Sequence, residues 1–119
     1  MRVLVVEDDA LMAIDLADQL EEAGFDILGP AMNVTEALEI LSAIDCDTAV
    51  LDINLGQETS EEVARQLTLR GVPFIALSGY SNDQYPAAFK DAPSLVKPVR
   101  IELLKAELRR IQNNISPTV

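Results

Sequence analysis

The chain of 119 residues contains no histidine and only one cysteine, Cys46. The absence of histidine excludes histidine metal ligands, Ser-His-Asp triads, Cys-His pairs and a phosphohistidine formed within this chain. A single cysteine excludes an internal disulfide, and we interpret Cys46 as a small reduced apolar residue. Any chemistry must therefore use carboxylates, hydroxyls or lysine.

Basic residues and long apolar runs are scarce as well. Nine Lys and Arg stand against twenty Asp and Glu, which gives a net charge of −11. Nucleic-acid surfaces need clustered Lys and Arg, so this charge favours a cation or a basic protein surface as the partner. No apolar run approaches the roughly 18 residues of a membrane span, and the N-terminus lacks the features of a signal peptide. We expect a cytoplasmic protein without nucleic-acid or membrane partners.

Five short apolar segments alternate with segments whose apolar residues recur at helical spacing. This alternation predicts βαβ units, and hence a single α/β domain with a doubly wound, five-stranded parallel sheet and helices on both faces. At 49% apolar residues the chain is able to bury a core. The predicted strands are Arg2–Val6, 26–28, 48–51, 74–77 and 95–96.

Local signals predict where two of the helices begin. Asn33 is followed by Glu36, and Thr59 is followed by Glu62 in the spacing of a capping box. Between the fourth and fifth strands, Pro86 permits only a short or irregular helix. Phe89 is expected in the core, whereas Leu103 fits either the core or a partner surface.

Polar side chains follow four of the five predicted strands. They are Glu7, Asp8 and Asp9 after the first strand, Asp52 after the third, Ser78 after the fourth, and Lys97 after the fifth. Since parallel strands end at the same edge of a sheet, these groups should converge there from distant positions. Asp9 is interpreted as the N-cap of the first helix rather than as a ligand.

The charge of this cluster indicates what it binds. Two carboxylates about 5 Å apart repel by roughly 3 kcal/mol at an effective dielectric of 20, so three or four of them need protons or a cation. A few oxygen ligands suit Mg²⁺ or Mn²⁺. A hydroxyl and a lysine beside the metal suit a transferring phosphoryl group, which an aspartate can accept as the nucleophile.

Four segments, VLVVEDD, AVLDINL, IALSGY and SLVKP, resemble in order and spacing the CheY-like receiver domain of bacterial two-component response regulators. The resemblance covers about Arg2 to Asn113. It implies a flavodoxin-like sheet with strand order 2-1-3-4-5. We expect a receiver domain over residues 1–115, a short tail over 116–119 and no output domain.

The resemblance also implies the metal ligands. Asp52 is the phosphoacceptor and a ligand of the metal, Mg²⁺ or Mn²⁺. Asp8 is a direct ligand, and Glu7 acts through water. Asn54, two residues after the phosphoacceptor, contributes its backbone carbonyl.

By the same resemblance, the hydroxyl of Ser78 binds a phosphoryl oxygen as the switch residue. Lys97 pairs with the phosphoryl group, and the Lys97–Pro98 peptide is expected to be cis, with Pro98 as a structural proline. Tyr80 lies where receivers tune the access of water to the acyl phosphate, so it is a candidate modulator, although an exposed loop tyrosine fits the pattern equally well.

One position departs from the usual receiver pattern. Receivers carry Tyr or Phe three residues before the lysine, where the ring reports phosphorylation, whereas this chain has Ser94. The aromatic part of the switch is therefore in question. The segment ALSGY, followed by a proline-containing stretch, is similar to the stand-alone receivers of the "FAT GUY" group, which HWE-class histidine kinases serve.

The resulting hypothesis is a single-domain response regulator in a phosphorelay. A sensor histidine kinase, or a phosphotransfer protein, phosphorylates Asp52, and the modified domain switches its binding to an unknown downstream protein. We expect no enzymatic turnover beyond transfer to the chain's own aspartate and its slow dephosphorylation. A receiver-like module that binds a partner without phosphorylation remains the alternative. A haloacid-dehalogenase phosphatase is disfavoured, because its nucleophile follows the first strand.

Overall fold

The computed structural model describes residues 1–79 and 85–115, apart from the side chain of Ile115. The strands are β1 (Arg2–Val6), β2 (Asp26–Ala31), β3 (Thr48–Asp52), β4 (Asn54–Leu55), β5 (Glu58–Thr59), β6 (Phe74–Ser78) and β7 (Ser94–Val96). The helices are α1 (Ala10–Glu22), α2 (Val34–Ala43), α3 (Glu61–Leu69) and α4 (Ile101–Ile115), with a 3-10 turn at Ala87–Phe89.

Five parallel strands form the main sheet in the order β2-β1-β3-β6-β7. Because β6 and β7 are the fourth and fifth strands of the prediction, the predicted order 2-1-3-4-5 and the α/β class are confirmed. Strand β2 runs past its predicted end through Gly29 and Pro30. Its place at the edge of the sheet explains this, since an edge strand tolerates a proline without a ladder N–H.

The two faces of the sheet bury separate apolar clusters, because successive side chains of a strand point to opposite faces. Leu4 and Val6 of β1 pack on the face covered by α2, α3 and the 3-10 turn, while Val3 and Val5 pack under α1 and α4. Phe89 lies in the first cluster, as predicted. Leu103 is 46% exposed. The central strands β1 and β3 are thus covered on both sides, and their ends are held at fixed positions.

Two predicted helix signals agree with the structure. The Asp9 carboxylate accepts hydrogen bonds from the N–H groups of Leu11 and Met12 at 3.1 and 3.2 Å, so this residue is the N-cap of α1. The side chain of Asn33 accepts from the Glu36 N–H at 2.8 Å at the start of α2. Both caps satisfy backbone donors that lack partners within the helix.

The predicted capping box at Thr59 and Glu62 is wrong. Thr59 belongs to β5, and Ser60 takes the N-cap position of α3 without a side-chain cap bond. The carboxylate of Glu62 contacts Arg65 instead, at 2.7 Å. The physical reason is that β4 and β5 pair as a short hairpin, which shifts the start of the helix by one residue.

Two predictions fall outside the described residues: the modulator role of Tyr80 and the tail at 116–119. Within the described part of the chain, no helix has both the length and the apolar character needed to cross a membrane.

Candidate metal and phosphoryl site

The site lies at the edge where the parallel strands end. Glu7 directly follows β1 and is fully buried, and Asp52 is the last residue of β3, at 4% exposure. These two strands are neighbours in the interior of the sheet, and they pair with each other in register from Val3 to Val6. The apolar residues before each carboxylate anchor its main chain in the core, so the sequence pattern itself carries both charges to one point.

Three carboxylates meet there. Oxygen atoms of Glu7, Asp8 and Asp52 lie within 4.8 Å of one another. Asp8 is more exposed than the other two, which leaves the cluster open to solvent on one side. Asp9 directs its carboxylate to the start of α1 and lies outside this group. The structure therefore brings together the three acidic residues that the sequence singled out as ligands.

Lys97, which follows β7, provides the positive charge of the site. Its Nζ donates a hydrogen bond to Asp52 Oδ2 at 2.7 Å and forms an ion pair with Glu7 Oε1 at 3.0 Å. Its backbone N–H donates to the Ser78 carbonyl at 2.7 Å, next to the pair Ser78↔Val96 of β6 and β7. One ammonium group thus faces three carboxylates, and negative charge remains in excess.

The pKa values of two groups reflect this imbalance. Burial raises the pKa of Asp8, and the hydrogen bond and charge of Glu7 raise it further, although Lys97 opposes them. Burial alone would lower the pKa of Lys97, but the hydrogen bonds and charges of Asp52 and Glu7 outweigh it and raise that pKa. The site therefore favours the charged form of Lys97 and disfavours the charged form of Asp8.

The remaining predicted residues lie around this centre. Ser78 is the buried last residue of β6, one position beyond the pair Asp52↔Leu77. Asn54 begins β4, two residues after Asp52. The Lys97–Pro98 peptide is cis. Ser94, in the place of the usual aromatic ring, is an exposed residue of β7.

The hairpin formed by β4 and β5 is the part of the site that the sequence analysis missed. It begins two residues after Asp52, and its turn has Gly56 at φ +71°. A Cβ atom on Gly56 would lie 3.7 Å from Asp8 Oδ2, so the turn passes beside the second acidic residue. Glycine as the first of two loop residues between Leu55 and Glu58 is a hairpin signal that could have revealed it.

The acidic cluster fits a divalent cation on one structural observation. The single Lys97 ammonium group is shared, because its Nζ lies 3.0 Å from the buried Glu7 Oε1 and 2.7 Å from Asp52 Oδ2, while an oxygen of Asp8 lies within 4.8 Å of both carboxylates. A cluster with more carboxylates than cations needs further positive charge, and a hard cation with its water ligands supplies it. Carboxylate oxygens are also the ligand type that Mg²⁺ prefers.

Comparison with known proteins first defines the class. The structure superposes on a response regulator receiver domain (CheY-like) from Methylobacillus flagellatus with a TM-score of 0.80 and 29% identity, over 93% of this chain and 98% of that one. The response regulator TrrA from Thermotoga maritima, solved in complex with Mg²⁺-BeF, gives a TM-score of 0.80 and 27% identity, over 92% and 97% of the two chains. The fold is that of a receiver domain.

The sequence comparison then gives the family. Residues 3–109 match the family model of the response regulator receiver domain, and the chain belongs to this family of two-component systems. The transcriptional regulatory protein PdtaR of Mycobacterium tuberculosis is 31% identical over 104 residues, which are 84% of this chain and 51% of PdtaR. The chain spans about half the length of the curated relatives it matches.

Proposed function

We propose that Asp52 accepts a phosphoryl group in a Mg²⁺-dependent reaction from a histidine kinase or a phosphotransfer protein. The observation that carries this proposal is the contact of Lys97 Nζ with Asp52 Oδ2 at 2.7 Å, beside the carboxylates of Glu7 and Asp8. An ammonium group on one oxygen of the acceptor, and a cluster of acidic ligands next to it, supply the opposite charges that a phosphoryl group and a metal each need.

The proposed step forms one bond and breaks one. An oxygen of Asp52 bonds to phosphorus while the nitrogen–phosphorus bond of the donor imidazole breaks, and the electron pair stays on that nitrogen. Asp8, Asp52, the Asn54 carbonyl and, through water, Glu7 would hold Mg²⁺, which neutralises phosphoryl charge. Lys97 would exchange its carboxylate contact for a phosphoryl oxygen. Each chain accepts one group, so the domain turns over no external substrate.

Phosphorylation would act as a switch because it changes the charge at a buried position. One negative charge on Asp52 becomes roughly two, with additional strong acceptor oxygens. A main-chain hydrogen bond joins the N–H of Lys97 to the carbonyl of Ser78. A shift of both residues towards the phosphoryl group would therefore move the end of β6 and the end of β7 in a concerted way. With Ser94 in place of an aromatic residue, we propose that this movement alone changes the affinity for a downstream protein.

The test is incubation with acetyl phosphate and Mg²⁺, followed by intact-mass measurement. We expect the wild type to gain one phosphoryl group and Asp52→Asn to gain none. Asp47→Asn is the matched control, because Asp47 precedes the opposite end of β3 and should leave the gain intact. Excess chelator should prevent the gain. The absence of any gain in the wild type would reject the proposal and favour a module that binds without phosphorylation.

A further inference from the structure

Ser60 closes the loop that leaves the sheet at Asp52. It is fully buried, and its hydroxyl donates a 2.6 Å hydrogen bond to the main-chain carbonyl of Asp52. Its backbone N–H donates to the Ile53 carbonyl at 2.9 Å. The chain therefore returns to the carboxyl end of β3 after the hairpin and is fixed there by two hydrogen bonds from one residue.

The orientation of this hydroxyl is not the one expected from its place in the fold. Ser60 is the N-cap of α3, where a serine side chain normally accepts a hydrogen bond from the first turn of the helix. Its hydroxyl makes no such bond. Thr59 Oγ1 accepts from the Glu61 N–H instead, at 3.4 Å. The side chain of Ser60 thus serves Asp52 rather than the helix.

The hairpin that Ser60 closes runs past the metal-binding residues. Asn54 pairs with Thr59, and Leu55 pairs with Glu58, so the two arms have a fixed register. The turn at Gly56 lies beside Asp8. A displacement of the base of the hairpin would therefore move the Asn54 carbonyl and change the space next to Asp8.

We propose that Ser60 is a positioning residue of this site, and that its hydroxyl sets the affinity for the metal by fixing the main chain of Asp52 and the base of the hairpin. The inference rests on the proposed function, because it concerns the same metal. Ser60 acts through the main chain, so it supports the ligands and does not touch the phosphoryl group. Partners that orient metal ligands commonly change metal affinity by about ten- to a hundredfold when they are removed.

Thr48 provides a matched control at the other end of the same strand. It is fully buried, and its hydroxyl donates to the Pro73 carbonyl at 2.8 Å, the same kind of bond as that of Ser60. Thr48 and Asp52 are the first and last residues of β3, and are about 13 Å apart at the usual rise of a strand. Ser60→Ala and Thr48→Val each remove one buried hydroxyl, but only the first removal is next to the site.

The experiment compares binding of Mn²⁺, detected by the electron paramagnetic resonance of the free ion, with stability in urea. We expect both variants to lower the urea midpoint by similar amounts. Ser60→Ala should weaken Mn²⁺ binding about tenfold, while Thr48→Val should stay within about twofold of the wild type, the spread of a neutral change. The rate of phosphorylation by acetyl phosphate at limiting Mn²⁺ should fall in Ser60→Ala alone.

The outcomes separate the inference from the function on which it rests. If the wild type binds Mn²⁺ and Ser60→Ala binds it as tightly, Ser60 is only structural and the inference is wrong. If the wild type itself takes up no Mn²⁺, the proposed function fails and the inference fails with it. Should Ser60→Ala not fold, Ser60→Cys keeps the shape of the side chain with a larger atom and a weaker donor, and it must still bind Mn²⁺ less tightly than Thr48→Val.

Discussion

The two ends of β3 are both buried and both carry a polar side chain, but their charges differ. At the first end the neutral hydroxyl of Thr48 donates to the Pro73 carbonyl, and the carboxylate of the half-buried Asp47 accepts from the Arg2 backbone N–H at 2.7 Å. At the last end Asp52 shares one ammonium group with Glu7, and the carboxylate of Asp8 lies beside them. The first end is satisfied by its neighbours, whereas the last has an excess of negative charge.

This difference separates what stabilises the fold from what enables binding. A satisfied buried hydroxyl contributes about 1 kcal/mol, and nothing further is needed at that end. Clustered carboxylates destabilise the folded chain until a cation neutralises them, so the free energy lost in the metal-free protein is recovered when the cation binds. Removing a charge should therefore change the free energy of unfolding by different amounts, or with opposite sign, at the two ends.

The largest effect is expected for Lys97→Met. This change leaves Glu7 and Asp52, both buried, without their shared ammonium group. Removing one partner of a buried ion pair costs about 3 kcal/mol or more, so urea unfolding of the metal-free protein should show a loss of that size. The control is Lys105→Met, whose partner Glu102 is 78% exposed at 3.6 Å; it should cost less than about 0.5 kcal/mol. Equal losses would contradict the comparison.

Magnesium should produce the next largest effect. A ligand that binds only the folded state adds about 2.7 kcal/mol at a hundred times its dissociation constant, so urea unfolding should shift with Mg²⁺ concentration. In Asp8→Asn the free energy of unfolding gained at the same Mg²⁺ concentration should be less than half of the wild-type gain, because a carboxylate of the cluster is lost. Asp47→Asn should keep the full gain. If the free energy of unfolding of the wild type did not change with Mg²⁺ concentration, the acidic cluster at the end of β3 would need no cation.

A smaller effect of opposite sign is expected for Asp8→Asn without metal. The change removes a like charge beside Glu7, and burial and Glu7 already raise the pKa of Asp8. We expect a gain in stability of about 1 kcal/mol, reduced from the full repulsion because water screens this partly exposed group. Asp47→Asn, whose side chain still accepts the bond from Arg2, should change stability by less than about 0.5 kcal/mol. Urea unfolding in chelator measures both; a loss of stability in Asp8→Asn would contradict the prediction.

The sequence predicted the ends of the central strands well because composition changes abruptly there. In β1 and β3 apolar residues run without interruption up to Glu7 and Asp52. A charged side chain directly after a buried strand is confined to the end of that strand. The parallel arrangement then placed Lys97 at the same edge. The parallel arrangement and the convergence of these residues follow from that pattern, whereas the strand order was implied by the resemblance to receiver domains.

The loop after Asp52 was predicted less well, because its structure depends on contacts that no local pattern encodes. Thr59 has the spacing of a helix cap, but pairing with Asn54 draws it into β5. The hydroxyl of Ser60 can accept a hydrogen bond from a helix N–H or donate one to the Asp52 carbonyl. Only the folded hairpin brings that carbonyl to 2.6 Å from the hydroxyl. The roles assigned to Asn54, Ser78 and the other site residues stay predictions until they are tested.

The smallest effect is the pH dependence of the gain from Asp8→Asn. A carboxyl group whose pKa is raised by folding binds its proton more tightly in the folded state. The penalty of its charge is therefore fully present above the folded pKa, decreases as the pH falls through that value, and is gone below the pKa of the unfolded state. The stability difference between Asp8→Asn and the wild type, measured in urea with chelator, should shrink from pH 7 to a pH near the ordinary carboxyl value of about 4. Because the subtraction cancels the carboxylates that lie away from Asp8, a difference that stays constant would place the origin of the gain outside the charge of Asp8.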